Sequence, residues 1–400
     1  MSDFDVRPLR PEEHRAASDL FRATLHRPPA TDAEWAAMGE ALVSTHGLGA
    51  FDPALIGMCR SFDDEATVPG GAWVPMAAVA TVGVRADRTR RGVLSAMMAE
   101  QLGDFARRDV PVAMLHASEA TIYGRFGYGV STRGRDYVID RHRARLRSDI
   151  PVSGEISLLD LETSLTSWER LYRGLDHPRP GMLARSATSW AISGNFHRKF
   201  TAPVTTAVHH GPDGVDGFAV YTVSRTGRDE AATMDLTMLY SATPQAFAGL
   251  WRYLLSVDLV DRIRTEARPL DEPIDLLLTD PRQVTTTCLA DESWLRLVDV
   301  PAALAAREYR GDDPVVLEVT DPLLPTNSGR YRISADGAAR TEDPAALRLD
   351  VGTLAMAYLG TWRPSTLASA GRIEARDPAA LEAADALFST RATAWCGTFF

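Results

Sequence analysis

Residues 82–129 read VGVRADRTRRGVLSAMMAEQLGDFARRDVPVAMLHASEATIYGRFGYG, and the rest of the chain is organised around them. An apolar β-type run, Ala77 to Val84, enters a loop carrying Arg85, Arg88, Arg90 and Arg91 ahead of Gly92. From there Val93, Met97, Met98, Leu102 and Phe105 recur at the spacing of one face of an amphipathic helix. A short apolar strand, Val112 to Leu115, follows, and then a segment holding Tyr123. A strand that passes through an Arg/Gly loop into a helix aims free backbone N–H groups and the positive end of the helix dipole at one spot. Such a spot suits a pyrophosphate. Each part alone has a plainer reading. A basic triplet is usually a solvated loop, a single glycine a turn, Met97 and Met98 core filler, and His116 a satisfied structural histidine. It is the position of the arginines between strand and helix-opening glycine that favours a phosphate cradle.

Working outward, Phe4 to Leu9 reads as a strand and Pro11 to Leu25 as a helix, with Pro11, Glu12 and Glu13 suited to its first turn. His26 to Asp32 reads as a loop, Ala54 to Phe62 and Trp73 to Val84 as strands, and Asp63 to Gly71 as the turn between them. A boundary is expected near Arg141 to Pro151. The same order then recurs, with strands at Val204–His209, Gly217–Ser224 and Thr233–Tyr240, a helix at Pro244–Val257 and a strand at Ile274–Leu278. Its strand-to-helix turn reads YSATPQAF, without an Arg/Gly loop, so no second cradle is expected. The last third reads as helices at Val300–Glu308, Leu354–Leu359, Pro364–Ala370 and Pro378–Phe388, with strands at Val315–Val319, Tyr331–Ser334 and Leu347–Val351. The chain closes on ATAWCGTFF; an apolar terminus is unusual and is expected to dock.

With 400 residues, 45% hydrophobic and 24% charged, the composition is that of a globular protein of two or three domains. No apolar run approaches the roughly 20 residues of a membrane span, and MSDFDVRPLR lacks the apolar core of a signal peptide. Cys59, Cys288 and Cys396 have no metal-ligand spacing and read as reduced cytoplasmic thiols. A net charge of −10 argues against nucleic acid as a partner and is compatible with cationic small substrates. No nucleophile elbow, Walker loop, dinucleotide fingerprint or metal site is visible.

Through RTRRGVLSAM (88–97) and HASEATIYGRFGYG (116–129), the chain resembles the acetyl-CoA-dependent GNAT N-acetyltransferases, specifically the Eis (enhanced intracellular survival) branch. WLRLVDVPAALAARE (294–308) and YLGTWRPSTLASAGRI (358–373) carry the resemblance further and are the more specific motifs. It implies an α+β fold with a GNAT domain over 1–145, a GNAT-like domain without cofactor over 146–290, and a sterol-carrier-like domain over 291–400. It also implies a homohexamer and acetyl-CoA as cosubstrate, without a metal. Carried over by motif, the backbone of Val82, Gly83 and Val84 would pair with the pantetheine arm, and Arg90, Arg91, Gly92, Val93, Leu94 and Ser95 would hold the pyrophosphate. Ser118 and Glu119 would flank the reactive end. Tyr123 would be the proton donor and the terminal carboxylate of Phe400 the proton acceptor. The expected acceptors are amines of polycationic molecules such as aminoglycosides. Lysine side chains of proteins or peptides are the alternative, and a non-catalytic lipid carrier a further one. The chain departs from the family at Thr89 and Leu94 in the loop, and at Phe399, where broad-pocket relatives carry an acidic residue. An acidic residue on the family's first helix is likewise unmatched, with Leu25 in its place, and Asp32, Glu34 and Glu40 are the candidate substitutes.

Overall fold

The computed structural model describes residues 4–151, 153–175, 179–225, 227 and 230–400. The first part of the chain forms β1 (Asp5–Pro8), α1 (His14–Thr24), α2 (Asp32–Val43), β2 (His46–Asp52), β3 (Ala54–Thr67), β4 (Trp73–Val84), α3 (Val93–Arg107), β5 (Val112–Leu115), α4 (Ala120–Tyr123) and β6 (Gly129–Val130). The middle forms β7 (Arg133–Asp140), β8 (Glu155–Leu159), α5 (Leu161–Arg173), α6 (Ala187–His197), β9 (Val204–Gly211), β10 (Gly214–Ser224), β11 (Thr233–Ser241), α7 (Pro244–Ser256), β12 (Arg262–Arg268), α8 (Ile274–Leu277) and β13 (Val284–Asp291). The last part forms β14 (Trp294–Leu297), α9 (Val300–Ala306), β15 (Val315–Thr320), β16 (Gly329–Ser334), β17 (Gly337–Arg340), β18 (Leu347–Asp350), α10 (Val351–Tyr358), α11 (Pro364–Ser369), β19 (Glu374–Ala375) and α12 (Pro378–Leu387).

Three sheets result, ordered β1-β2-β3-β4-β5-β14-β6, β13-β7-β12-β11-β10-β9-β8 and β17-β16-β15-β18-β19. In the first, only β4 and β5 run parallel, joined by α3 as the crossover helix. In the second, only β11 and β12 run parallel, joined by α7. Beside each parallel pair lies a strand drawn from the other end of the sequence, β14 beside β5 and β7 beside β12. The chain divides into two compact units: one of residues up to Thr132, Arg179–Ile192 and Glu292–Phe400, the other of Arg133–Pro178 and Ser193–Asp291. Within the first unit the third sheet has no core of its own. Its Leu317, Leu347 and Leu349 share one buried cluster with Phe62, Met76, Met114 and Leu295 of the first sheet. The opposite face of that sheet is covered by Met98, Leu102 and Phe105 of α3.

Several expectations change. The strand expected at Ile274–Leu278 is the short helix α8; the parallel partner of β11 is RIRTEAR of β12, where exposed Arg262 and Arg264 alternate with buried Ile263 and Thr265. Strand β3 runs to Thr67 instead of turning after Phe62, because Asp64 is buried and accepts hydrogen bonds from the Ser186 amide and Ser189 hydroxyl at 2.9 and 2.7 Å. Helix α2, opened by a Thr31–Glu34 capping box, and strands β2 and β14 were not anticipated.

All four residues of β14 are buried, including the cation Arg296. Its Nη2 donates to both carboxylate oxygens of Asp321 at 2.8 and 2.7 Å, while Nε and Nη1 donate to the carbonyls of Phe126 and Leu297 at 2.9 and 2.6 Å. Asp321 accepts further from the amides of Leu323 and Leu324 and from Asn327 Nδ2. A fully bonded buried pair of this kind is costly to break from one side. We expect Arg296→Met, which strands the Asp321 carboxylate, to cost about 3–5 kcal/mol in urea unfolding. Adding Asp321→Asn to that variant should recover part of the loss. Equal stability of the single and double variants would contradict this.

Candidate active site

The site begins where the parallel pair separates. Strand β4 pairs with β5 only through Met76–Val79, opposite Val112–Leu115, yet continues to Val84 with β3 on its other side. Between the Met58–Gly83 and Arg60–Ala80 pairs the register shifts, and Thr81 there has φ 46°. This bulge sets Thr81 and Val82 against Cys59 and bends the strand. Beyond Val79, the β5-side edge of β4, including Val82, Gly83 and Val84, therefore has no strand beside it among the described residues.

The loop that follows leaves cations and helix-opening amides without partners among the described residues. Arg85 is tied to Asp87 at 2.9 Å and Arg88 lies 3.6 Å from Asp52. Arg90 and Arg91 are exposed and have no carboxylate within ion-pair distance among the described residues. Gly92, φ 82°, caps α3 with no side-chain bond to the first amides, and a Cβ added there would meet nothing within 4 Å. The amides of Val93, Leu94 and Ser95 thus open the helix uncapped. The second unit differs at the matching position. There the Thr243 hydroxyl accepts from the Ala246 amide at 3.0 Å and donates to Asp216 at 2.9 Å, and Pro244 has no N–H to offer. That helix end is already capped, with a carboxylate beside it.

Tyr123 ends α4, buried in the core on the α3 face with Leu115 and Met98. Its hydroxyl makes no hydrogen bond among the described residues, and burial, reinforced by Cys59 and Glu119, pushes its pKa up to about 12. Ser118 and Glu119 are exposed in the turn between β5 and Tyr123. The two glycines after Phe126 fix this segment. A Cβ on Gly127, φ 81°, would lie 2.8 Å from Arg296 Nε, and one on Gly129 would collide with the Gly352 carbonyl oxygen.

The C-terminus docks on the opposite face of the same sheet. The Glu292 carboxylate accepts from the amides of Cys396 and Gly397 at 3.0 and 2.7 Å. His116 lies between the Glu292 carbonyl, 2.6 Å from Nδ1, and the Thr398 carbonyl, 2.9 Å from Nε2. A neutral imidazole has one N–H to give, so both contacts are hydrogen bonds only when the ring is protonated. The Phe400 ring packs on His116 at 4.7 Å and on Phe62 at 6.1 Å, while Phe399 is 76% exposed. Tyr123 and Phe400 thus belong to cores on opposite faces of the sheet. Of the candidate acids, Asp32 pairs with Arg15 and Glu34 is engaged by Thr31 and Arg22. Sequence reasoning missed Glu292, which stands outside every recognisable motif, and the buried Arg60, a single cation within the apolar run of β3. We expect Glu292→Ala to free the tail, so that carboxypeptidase removes Phe400 and Phe399 about tenfold faster by intact-mass spectrometry. Unchanged release would show that the tail is held elsewhere.

Comparison with known proteins agrees with this architecture. Acetyltransferase (GNAT) domain families match residues 5–131 and 181–297, and the sterol carrier protein domain family matches 300–397. The chain is 36% identical to N-acetyltransferase Eis of Mycobacterium tuberculosis, covering 84% of this chain and 83% of that protein. An uncharacterized N-acetyltransferase of Streptomyces avermitilis is 36% identical over 100% of this chain and 99% of its own length. The crystal structure of Eis1 from Mycobacterium abscessus superposes with a TM-score of 0.90 at 39% identity, covering 99% of this chain and 100% of that one. GNAT acetyltransferases use acetyl-CoA, and the open Arg90–Ser95 cradle fits its pyrophosphate. Two GNAT domains, a sterol-carrier-like C-terminus and identity above one third over most of the chain make this protein a member of the Eis family of N-acetyltransferases.

Proposed function

We propose that the chain transfers an acetyl group from acetyl-CoA to a primary amine by direct attack, with Tyr123 as general acid and the terminal carboxylate of Phe400 as base. The observation that carries this reading is the docked tail. Glu292 holds the amides of Cys396 and Gly397, and Phe400 is buried in the cluster on one face of the first sheet while Tyr123 is buried in the cluster on the other, which supports a tail that belongs to the folded domain. Polycationic amines such as aminoglycosides are the acceptor class favoured by the net charge of −10 and by a carboxylate at the site.

Acetyl-CoA supplies an activated thioester carbonyl. Arg90 and Arg91, with the amides of Gly92, Val93, Leu94 and Ser95, would hold its pyrophosphate, and the free edge at Val82, Gly83 and Val84 would align the pantetheine arm. Ser118 and Glu119 would flank the reactive end. The Tyr123 hydroxyl retains its proton across the physiological range and can pass it to the departing sulfur. The Phe400 carboxylate attracts the acceptor ammonium and takes the proton the amine must lose, directly or through water. With an ordinary pKa of about 3.3–3.7 it is a weak base, so orienting the cation is the larger part of its role.

Release of free thiol from acetyl-CoA with kanamycin, and with a lysine peptide, tests the reading. Tyr123→Phe should lower kcat by about 10²-fold or more, and removal of residues 399 and 400 should do likewise. Because the tyrosine pKa is raised, its acid form is fully present at neutral pH and is lost only near pH 12. The rate should therefore climb as the acceptor ammonium deprotonates, with no alkaline fall before about pH 11. Unchanged rates in both variants, or an alkaline fall near pH 9 to 10, about the ordinary range for a phenol, would contradict the assignment.

A further inference from the structure

His116 takes no part in the transfer described above, yet the end of the chain is arranged around it. It follows directly on β5, whose last residue Leu115 pairs with Trp294 of β14, so the chain just ahead of β14 passes beside the imidazole. The Glu292 carbonyl oxygen accordingly lies 2.6 Å from Nδ1. The carboxylate of the same residue holds the amides of Cys396 and Gly397. Gly397, φ 65°, then turns the tail through a left-handed residue, where a Cβ would press on the Trp395 ring at 2.6 Å. That turn delivers the Thr398 carbonyl to 2.9 Å from His116 Nε2. Beyond it the rings of Phe399 and Phe400 pack on the imidazole, with centroids at 4.9 and 4.7 Å.

Cys396 and Gly397 are thus fastened by Glu292, and Thr398, Phe399 and Phe400 by His116. The Thr398 carbonyl also accepts from the Cys396 thiol at 3.2 Å, but that bond lies within the tail and fixes its turn rather than its seat on the sheet. Without His116 the last polar fastening to the domain would be the Gly397 amide. The backbone from Thr398 to Phe400, about 10 Å when extended, would then be held by packing of the Phe400 ring on Phe62. The bond to Thr398 needs a proton on Nε2. The imidazolium carries one on each nitrogen, and the neutral Nε2–H tautomer keeps this one, so the seat of the tail does not require the ring to be charged.

We infer that His116 is a positioning residue for the transfer: it sets the place of the terminal carboxylate by holding the Thr398 carbonyl and packing against both terminal rings. Its effect on rate rests on the acetyltransferase reading; its effect on the tail rests on the docked contacts alone. The test therefore measures tail and turnover separately, in His116→Ala and in His116→Gln, whose side-chain amide can still donate to the Thr398 carbonyl. Carboxypeptidase release of Phe400, followed by intact-mass spectrometry, should be about tenfold faster in His116→Ala, the weight of one net hydrogen bond, and nearer the parent rate in His116→Gln. With kanamycin and saturating acetyl-CoA, kcat should fall about tenfold in His116→Ala and recover in part in His116→Gln. KM for acetyl-CoA and the calorimetric stoichiometry of CoA binding should match the parent in both, which excludes loss of folded protein as the cause. Unchanged release in His116→Ala, or equal impairment of the two variants, overturns the role of His116 and leaves acetyl transfer standing. Faster release with kcat unchanged overturns the Phe400 carboxylate as base and His116 as its positioner together. A parent protein that acetylates neither kanamycin nor a lysine peptide overturns the proposed function, and the release rates alone then decide whether His116 seats the tail.

Discussion

The buried ion pair between Arg296 and Asp321 is the interaction on which the first unit depends. Burying a guanidinium in a sheet costs least when its donors are met, and Arg296 meets them with the carboxylate and with the carbonyls of Phe126 and Leu297. One residue thereby joins the strand inserted beside β5, the turn that follows Tyr123 and the loop leading from β15 toward β16. Gly127 belongs to the same arrangement, since any side chain there would press on Arg296 and Val351. The tyrosine segment is thus set by a residue far along the sequence.

That constraint explains why the C-terminal region shares a core with the first sheet. The parallel pair opens a gap because β4 bulges at Thr81 and β5 stops at Leu115. One side of the gap is packed by α3 and Tyr123. The opposite face of the sheet receives the tail, whose amides are held by Glu292, a residue just ahead of β14. The residue that holds the tail thus leads directly into the inserted strand. The second unit repeats the parallel pair but caps its crossover helix with Thr243, Pro244 and Asp216, which satisfies or removes the amides that α3 leaves free.

Much of this was legible in the sequence because local signals agreed. The apolar periodicity of α3, the Arg/Gly loop and the run Val112–Leu115 each mark an element that forms where the pattern puts it. The apolar tail announced its own docking, and burial of Trp395, Cys396 and Phe400 fulfils that. What escaped depends on partners distant in sequence. RIRTEAR has too many charges to read as a strand until its neighbours in the second sheet are known. Glu292 acquires meaning only from amides about one hundred residues away. Arg60, a lone cation in an apolar strand, shows its burial only once the fold is known.

The central claim is that the last residues form part of the folded site and are not a loose end laid against it. Native-state hydrogen exchange of the Cys396 and Gly397 amides addresses this directly. If Glu292 holds them as described, both should exchange only through openings as rare as those of the β5 and β14 amides, and should speed up with added denaturant in step with them. Exchange at the rate of an unprotected terminal segment would contradict the account.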